Sequence, residues 1–278
     1  MRDFLTRSAS RKNDMLHTLK GLVLRETPVS DNSKYINILT AERGRISVLV
    51  RGALRLRGPH TGATQIFCYS EFVIYEHNDK YTLNDSSLIE NYFHLCEDFD
   101  KMTVGTYILN TVEYISNEEQ PEPQMLRLAL NTLWALTHYK DKDLRLIKGV
   151  YEMRLAFLAG FAPNIVNCQC CGHGVESERL YLNVMEGTML CRHCSDTSFK
   201  PVHLENDREV DDMRTAQIII SLAPASVLAM QHALYADMSK LFSFVLADEL
   251  LPEFSSACEK YLENHVDHHF QVLDMLVW

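Results

Sequence analysis

Four of the eight cysteines stand as two pairs, Cys168-x2-Cys171 and Cys191-x2-Cys194, with 19 residues between the pairs. Two residues between thiolates let one tight turn aim both sulfurs at a single ion, and two such turns supply four tetrahedral ligands. Gly172 follows the first pair, where the turn favours a residue without Cβ. Gly187 lies just before the second pair, consistent with a hairpin leading into it. The spacing predicts one zinc ion held by Cys168, Cys171, Cys191 and Cys194. A site closed by four thiolates has no open position for water or substrate, so such an ion orders the chain and does no chemistry. Cys170 lies beside the first pair, but a Cys170–Cys171 pair cannot reproduce the two-residue spacing; His173 and His193 stand as substitute ligands. A disulfide framework is the competing reading. A reducing compartment and a chain long enough to need no staples speak against it. Cys68, Cys96 and Cys258 fall in apolar patterns and read as core residues.

A second constellation is electrostatic. Between Arg43 and Glu71 there is no carboxylate, yet Arg43, Arg45, Arg51, Arg55 and Arg57 all occur there. The guanidinium fork donates two hydrogen bonds at once and suits phosphate, and the glycines of Arg51-Gly-Ala-Leu-Arg55-Leu-Arg57-Gly58-Pro59 let a backbone approach closely. Lys34 and Arg25 extend the strip on neighbouring strands. The bland alternative is a solvated surface with chance clustering. Tyr35, Phe67 and Tyr69 lie nearby; a base could stack on one of them, although each reads more readily as barrel core.

Catalytic motifs are absent. The chain holds no Gly-x4-Gly-Lys-Ser/Thr phosphate loop, no Gly-x-Ser-x-Gly elbow and no His-Glu-x2-His. His265 and His269, four apart, could share one helical face and a metal, but a polar helix end explains them better. Asp141, Asp143 and Asp211-Asp212 read as helix starts, where carboxylates meet free N–H groups. The expectation is a protein without enzymatic activity.

The elements that must carry these groups change type along the chain. From His17 to about Leu88 the pattern is of strands: Leu22-Val23-Leu24, then Tyr35 to Thr40, then Ile46, Val48 and Val50 alternating with Arg45, Ser47 and Arg51. Ala41-Glu42-Arg43-Gly44 forms the hairpin between the second and third, with Gly44 at positive φ. Ile66 to Tyr75 gives a fourth run, Asn78-Asp79 a turn, and Lys80 to Leu83 the start of a fifth. Five short strands in this length suggest a small closed barrel, of which an OB-fold is one candidate. From about Leu88 the spacing turns helical: Val104 to Ile115, Met125 to Tyr139 and Leu144 to Gly160, with Asn117–Pro123 as a linker. Residues 161–205 are irregular, with too few apolar residues in about 161–200 to order themselves without an ion. Asp211 to Leu222 resumes helical spacing with Pro224 as its stop, and Ala225 to Trp278 reads as two or three helices. The expected domains are a polar arm (1–15), a barrel (16–88) and a helical domain (89–278) that encloses the zinc segment. The fold class is α+β.

The chain has 278 residues, 46% hydrophobic and 23% charged, which is ordinary globular composition. Its net charge of −10 masks an asymmetry. Residues 1–80 hold 13 Lys and Arg against 8 Asp and Glu; the remainder holds 14 against 29. A polyanion responds to the local field, so a basic first domain and an acidic second one are compatible with nucleic-acid binding. No run reaches the length of a membrane helix, and the polar start lacks a signal-peptide core, so the expectation is a cytoplasmic, nucleoid-associated protein.

Three features together resemble one family. Leu19-Lys20-Gly21-Leu22-Val23-Leu24-Arg25, Asp31-Asn32-Ser33-Lys34-Tyr35 and Leu39-Thr40-Ala41-Glu42-Arg43-Gly44 are similar to the first domain of the bacterial RecO DNA repair proteins. Val50-Arg51-Gly52-Ala53-Leu54-Arg55 resembles that family's basic segment, and the Cys-x2-Cys pairs stand where many members carry a zinc finger. The resemblance implies an N-terminal OB-fold and a helical domain with an inserted four-cysteine zinc finger. It implies binding of single- and double-stranded DNA and annealing of complementary strands. It also implies partnership with RecR and single-strand-binding protein, and through them the loading of RecA. By matching position Arg51 and Arg55 carry the basic segment, with Arg57 as its extension and Lys34, Arg43 and Arg45 around it. Cys170 and the arm before Met15 depart from the pattern. The alternative from another class is a zinc-ribbon transcriptional regulator. It requires a basic recognition helix, for which Arg145, Lys148 and Arg154 are the nearest case.

Overall fold

A computed structural model describes residues 15–30, 32–53, 58, 60–175, 178–198 and 218–278. Arg55, Arg57, the arm before Met15 and the Asp211-Asp212 pair lie outside the described residues. The chain divides into two compact units, Met1–Phe93 with Ser116–Leu126, and His94–Ile115 with Arg127–Trp278.

The first unit is built on a closed five-stranded barrel. β1 (Met15–Ser30), β2 (Ser33–Thr40), β3 (Gly44–Arg51), β4 (Cys68–His77) and β5 (Lys80–Asn91) follow in the order β1-β2-β3-β5-β4. All pairings are antiparallel except β3 with β5. This is the topology of an OB-like fold. β1 is long enough to pair with β2 along its second half and with β4 along its first, and a register shift between Val23 and Arg25 bends it round the barrel. Period-two alternation puts Ile46, Val48 and Val50 inside with Ile36, Ile38, Phe72 and Ile74. Arg45, Ser47, Leu49 and Arg51 face outward on the same strand.

Gly44 makes the β2–β3 turn at φ +55, as expected. A Cβ there would also lie 2.3 Å from the Gln120 carbonyl oxygen, so a side chain is excluded twice over. The segment after Ser116 lies against this turn: the Arg45 N–H donates to Asn117 O, and the Glu122 N–H donates to Ala41 O. The fifth strand runs on to Asn91, beyond the expected boundary at 88, because Tyr69 and Cys68 still pair with Glu90 and Asn91.

The second unit holds α1 (Phe99–Ile115), α2 (Pro123–His138, from Arg127 onward in this unit), α3 (Leu144–Leu158), α5 (Pro224–Tyr235) and α6 (Leu251–Val266), and α3 packs against α1, α5 and α6. Asp143 caps α3 by accepting the Arg145 N–H, so of the expected helix starts this one holds; Asp141 is not a cap. α3 is buried on all sides from Leu146 to Ala156, as a helix inside a bundle must be. It crosses α6 closely at Gly149, where a Cβ would stand 2.5 Å from Phe254 Cε1.

Between α3 and α5 lie β6 (Leu180–Asn183), β7 (Thr188–Cys191), the short α4 (Arg192–Ser198) and β8 (Ile219–Leu222), with sheet order β7-β6-β8. β8 corrects the helix expected over 211–222. Its described end is a strand paired with β6, and Pro224 starts α5 instead of stopping a helix. Proline is favoured at a first helical turn, where its missing N–H has no partner to lose. The segment also buries Ile165, Leu180, Leu182, Val184 and Met189, so it is less poor in core than expected.

Candidate metal centre and nucleic-acid interface

The two cysteine knuckles converge. The Sγ atoms of Cys168, Cys171, Cys191 and Cys194 all lie within 4.8 Å of one another, and those of Cys171 and Cys191 are 3.7 Å apart. Four sulfurs at about 2.3 Å from a central ion would sit about 3.8 Å apart, so this set could hold a metal ion. The first knuckle is shaped by its backbone. The Cys168 N–H donates to His173 O, the Gly172 N–H donates to Cys168 O, and Gly172 takes φ +75. The Gln169 N–H donates to Met189 O and ties this knuckle to β7, whose last residue is the third ligand candidate. Gly187, at φ +63, turns β6 into β7. α4 then carries Cys194 back to the cluster.

Burial opposes ionisation of Cys168, but backbone N–H groups of Cys171, Cys191 and Cys170 outweigh it and bring the thiol down to about 6. Cys194, beside the Cys191 thiol, is pushed up. Cys170 is exposed and outside the group of four. His173 Nδ1 comes within 3.5 Å of Cys171 Sγ, and with His193 it lines a cleft beside the cluster. The histidines are neighbours of the four sulfurs rather than members of the set. Of the other cysteines, Cys68 and Cys258 are buried as expected. Cys96 is exposed, a correction that follows from its place in a single 3-10 turn, Phe93–Glu97, in which only Leu95 is buried.

The basic strip separates into two ends of β3. Arg45 and Arg51 stand six residues apart on one strand face, which is about 20 Å at the strand rise. At the turn end, Arg43 Nη1 donates to Glu76 (3.0 Å) and to the Tyr81 hydroxyl (2.9 Å), and Arg45 pairs with Glu118 (3.0 Å). At the far end Arg51 is exposed and is followed by Gly52 at φ +71. Lys34 departs furthest from expectation. Its side chain is 3% exposed, and its Nζ donates to Glu26 Oε2 (2.7 Å) and to Thr64 O (2.8 Å). Glu26 Oε1 in turn accepts the Ile66 N–H (2.8 Å). The pair therefore pins the β3–β4 connection to the barrel wall, and an ammonium committed in this way is not offered to phosphate. Charge alone could not reveal this, because Glu26 meets Lys34 only once β1 and β2 have paired.

Among the nearby aromatics Phe67 is buried, Tyr69 is half-buried and Tyr35 is exposed. On α3, Arg145 pairs with Asp143, Lys148 is buried between two glutamates, and Arg154 donates to the Ala236 carbonyl. None of the three is arranged to enter a DNA groove. His265 Nδ1 meets the Tyr261 carbonyl, and His269 meets Glu263 and Asp274, so the two tail histidines point to separate partners rather than to one ion. No helix of the described residues is long and apolar enough to cross a membrane.

Comparison with known proteins finds one family along most of the chain. Residues 15–92 match the family described as Recombination protein O N terminal, and residues 96–206 match Recombination protein O C terminal. The chain is 27% identical over 256 residues to the DNA repair protein RecO of Acetivibrio thermocellus, covering 92% of this chain and 94% of that one. It is 25% identical over 255 residues to the DNA repair protein RecO of Caldicellulosiruptor saccharolyticus, covering 92% and 95%. With its barrel and its cysteine-bearing helical unit matched in turn by the two halves of one family, the chain belongs to the RecO family of DNA repair proteins.

Proposed function

We propose that this protein is a recombination mediator without enzymatic activity. In this reading it binds single- and double-stranded DNA, anneals complementary strands, and helps load RecA onto DNA coated by single-strand-binding protein, with RecR as partner. The observation that carries the reading is the match of both halves to RecO proteins across most of the chain. The barrel supplies a physical route. Arg51 is exposed at the end of β3, and the sequence beyond it adds Arg55 and Arg57 with no carboxylate before Glu71. Arginines on phosphate screen the repulsion between two polyanions and leave the bases free to choose their partner.

The metal in this reading is one zinc ion held by Cys168, Cys171, Cys191 and Cys194. Four thiolates would close its coordination, so it would order the β6–β7 hairpin and α4 and take no part in chemistry. The proposed location is cytoplasmic and nucleoid-associated.

The test is strand annealing by the full chain, followed with two complementary labelled oligonucleotides and no nucleotide added. The expected result is annealing faster than the spontaneous rate and insensitive to ATP. Failure to accelerate annealing, or robust ATP hydrolysis that tracks with the chain on mutation, would overturn the reading.

A further inference from the structure

α2 has an outward stripe that the barrel-centred reading does not use. From Pro123 to Lys140 the chain contains no Asp or Glu, although the chain after residue 80 is strongly acidic. Arg127, Asn131, Trp134 and His138 fall at intervals of three and four on this helix, so they share one face. Arg127, Trp134 and His138 are exposed, and Asn131 is half-buried. The opposite face, with Leu128, Leu133, Ala135 and Leu136, is buried.

Trp134 is 45% exposed, an unusual placement for the largest apolar side chain. Its indole stacks on the His138 ring at 4.3 Å with the planes 11° apart, and Tyr139 meets it edge-on at 5.6 Å. The His138 ring is itself oriented, with Nδ1 at 3.0 Å from Trp134 O and 2.8 Å from Thr137 Oγ1. Lys142 lies over the Tyr139 ring and donates to Phe244 O, which holds the edge of the group in place. The result is a prearranged aromatic stack. Arg127, at the start of the stripe, and Lys140, two residues past the end of α2, are exposed and form no ion pair among the described residues.

We propose that this stripe is a second nucleic-acid contact, specific for single strands: one base stacks on Trp134, and Arg127 and Lys140 take the flanking phosphates. A single strand matches it better than a protein surface does, because exposed cations with no ion pair among the described residues complement a polyanion and a flat ring accepts any base face. Duplex DNA keeps its base faces covered, so the stack discriminates between the two forms. The proposal rests on the DNA-binding function proposed above and gives the helical unit its own part in it. With the barrel holding one strand, a second site would let a single chain hold two.

The test uses the full chain and an oligothymidylate. Trp134 and Trp278 are the two tryptophans, so intrinsic fluorescence reports on the site. The oligonucleotide should quench wild-type emission, and Trp134→Phe should abolish that quench while keeping most of the affinity. Trp134→Ala should weaken single-strand binding roughly 5- to 100-fold, the range for one lost stack, and leave duplex binding unchanged. Arg127→Gln with Lys140→Gln should lower the log–log salt slope by about 1.4. If wild type binds and anneals DNA but all three variants match it, the inference is overturned and the proposed function stands; the stripe is then a surface for a protein. If wild type binds no single strand, both fall together. Should Trp134→Ala fail to fold by circular dichroism, the other two variants decide.

Discussion

Lys148 and Glu152, one turn apart on α3, are both fully buried, and their charged ends meet at 2.9 Å. The same ammonium reaches Glu259 at 2.6 Å, while the Tyr107 hydroxyl donates to Glu152 Oε1 at 2.7 Å. Two carboxylates thus share one cation inside the helical unit. Replacing Lys148 by Met leaves Glu152 buried and uncompensated, which should cost about 3–5 kcal/mol. Adding Glu152→Gln to that variant should restore much of the loss. Denaturant unfolding followed by helical circular dichroism measures both; a single variant as stable as wild type would show that the pair matters little.

The same cluster predicts a pH dependence. Burial, helped by Glu259 and opposed by Lys148 and Tyr107, pushes Glu152 up to about 7. The folded protein therefore holds a proton here, between the ordinary carboxylate range and about 7, that the unfolded chain has released. Its stabilising contribution is complete below the ordinary carboxylate value and is lost as pH rises through about 7. Glu152→Gln should flatten that fall. Melting temperatures of the two proteins from about pH 5 to about pH 8 provide the comparison; parallel curves would contradict it.

For the metal, one zinc per chain is expected in protein purified without chelator. Cys191→Ser should lose it, whereas Cys170→Ser should keep it, because Cys170 lies outside the converging four. Elemental analysis of the three proteins decides. Zinc lost on Cys170→Ser would rewrite the ligand set.

Gly149→Ala should destabilise the helical unit by about 1–3 kcal/mol, since the added methyl must displace the Phe254 ring. Phe254→Leu in the same chain should recover part of the loss by making room. Thermal melts of single and double variants test this; additive losses would mean that the two residues do not compete for space.

Lys34 and Arg51 should behave as opposites although both are basic and both belong to the strip. Lys34→Ala leaves Glu26 without its cation and frees the β3–β4 connection, so it should lower stability by about 1–3 kcal/mol. Replacing Arg51, Arg55 and Arg57 together should leave folding intact and reduce the salt slope of single-strand binding by about 2. Salt titrations beside unfolding curves separate the two effects. A triple variant with an unchanged slope would remove the arginines from the DNA surface.

Much of this was legible in the residues. Alternation along Arg45 to Arg51 predicts which side chains point outward, and the two Cys-x2-Cys pairs predict the four converging sulfurs, because both signals are local and a fixed backbone period carries them. Gly44, Gly172 and Gly187 each take the positive φ that their turns demand. The helix expected over 211–222 failed at its described end for the complementary reason. Ile219–Leu222 is apolar enough for either element, and only the pairing of β8 with β6 makes it a strand.

The sequence by itself carried the resemblance to the family, the change from strands to helices, and the four thiols. Only the tertiary structure decided which charges are free. Lys34 is spent on Glu26, Arg43 on Glu76 and Lys148 on two glutamates, while Arg51, Arg127 and Lys140 are exposed. A charge is visible in the sequence wherever it stands. Its partner is chosen by strand register and helix packing, which bring together residues as far apart as Lys148 and Glu259.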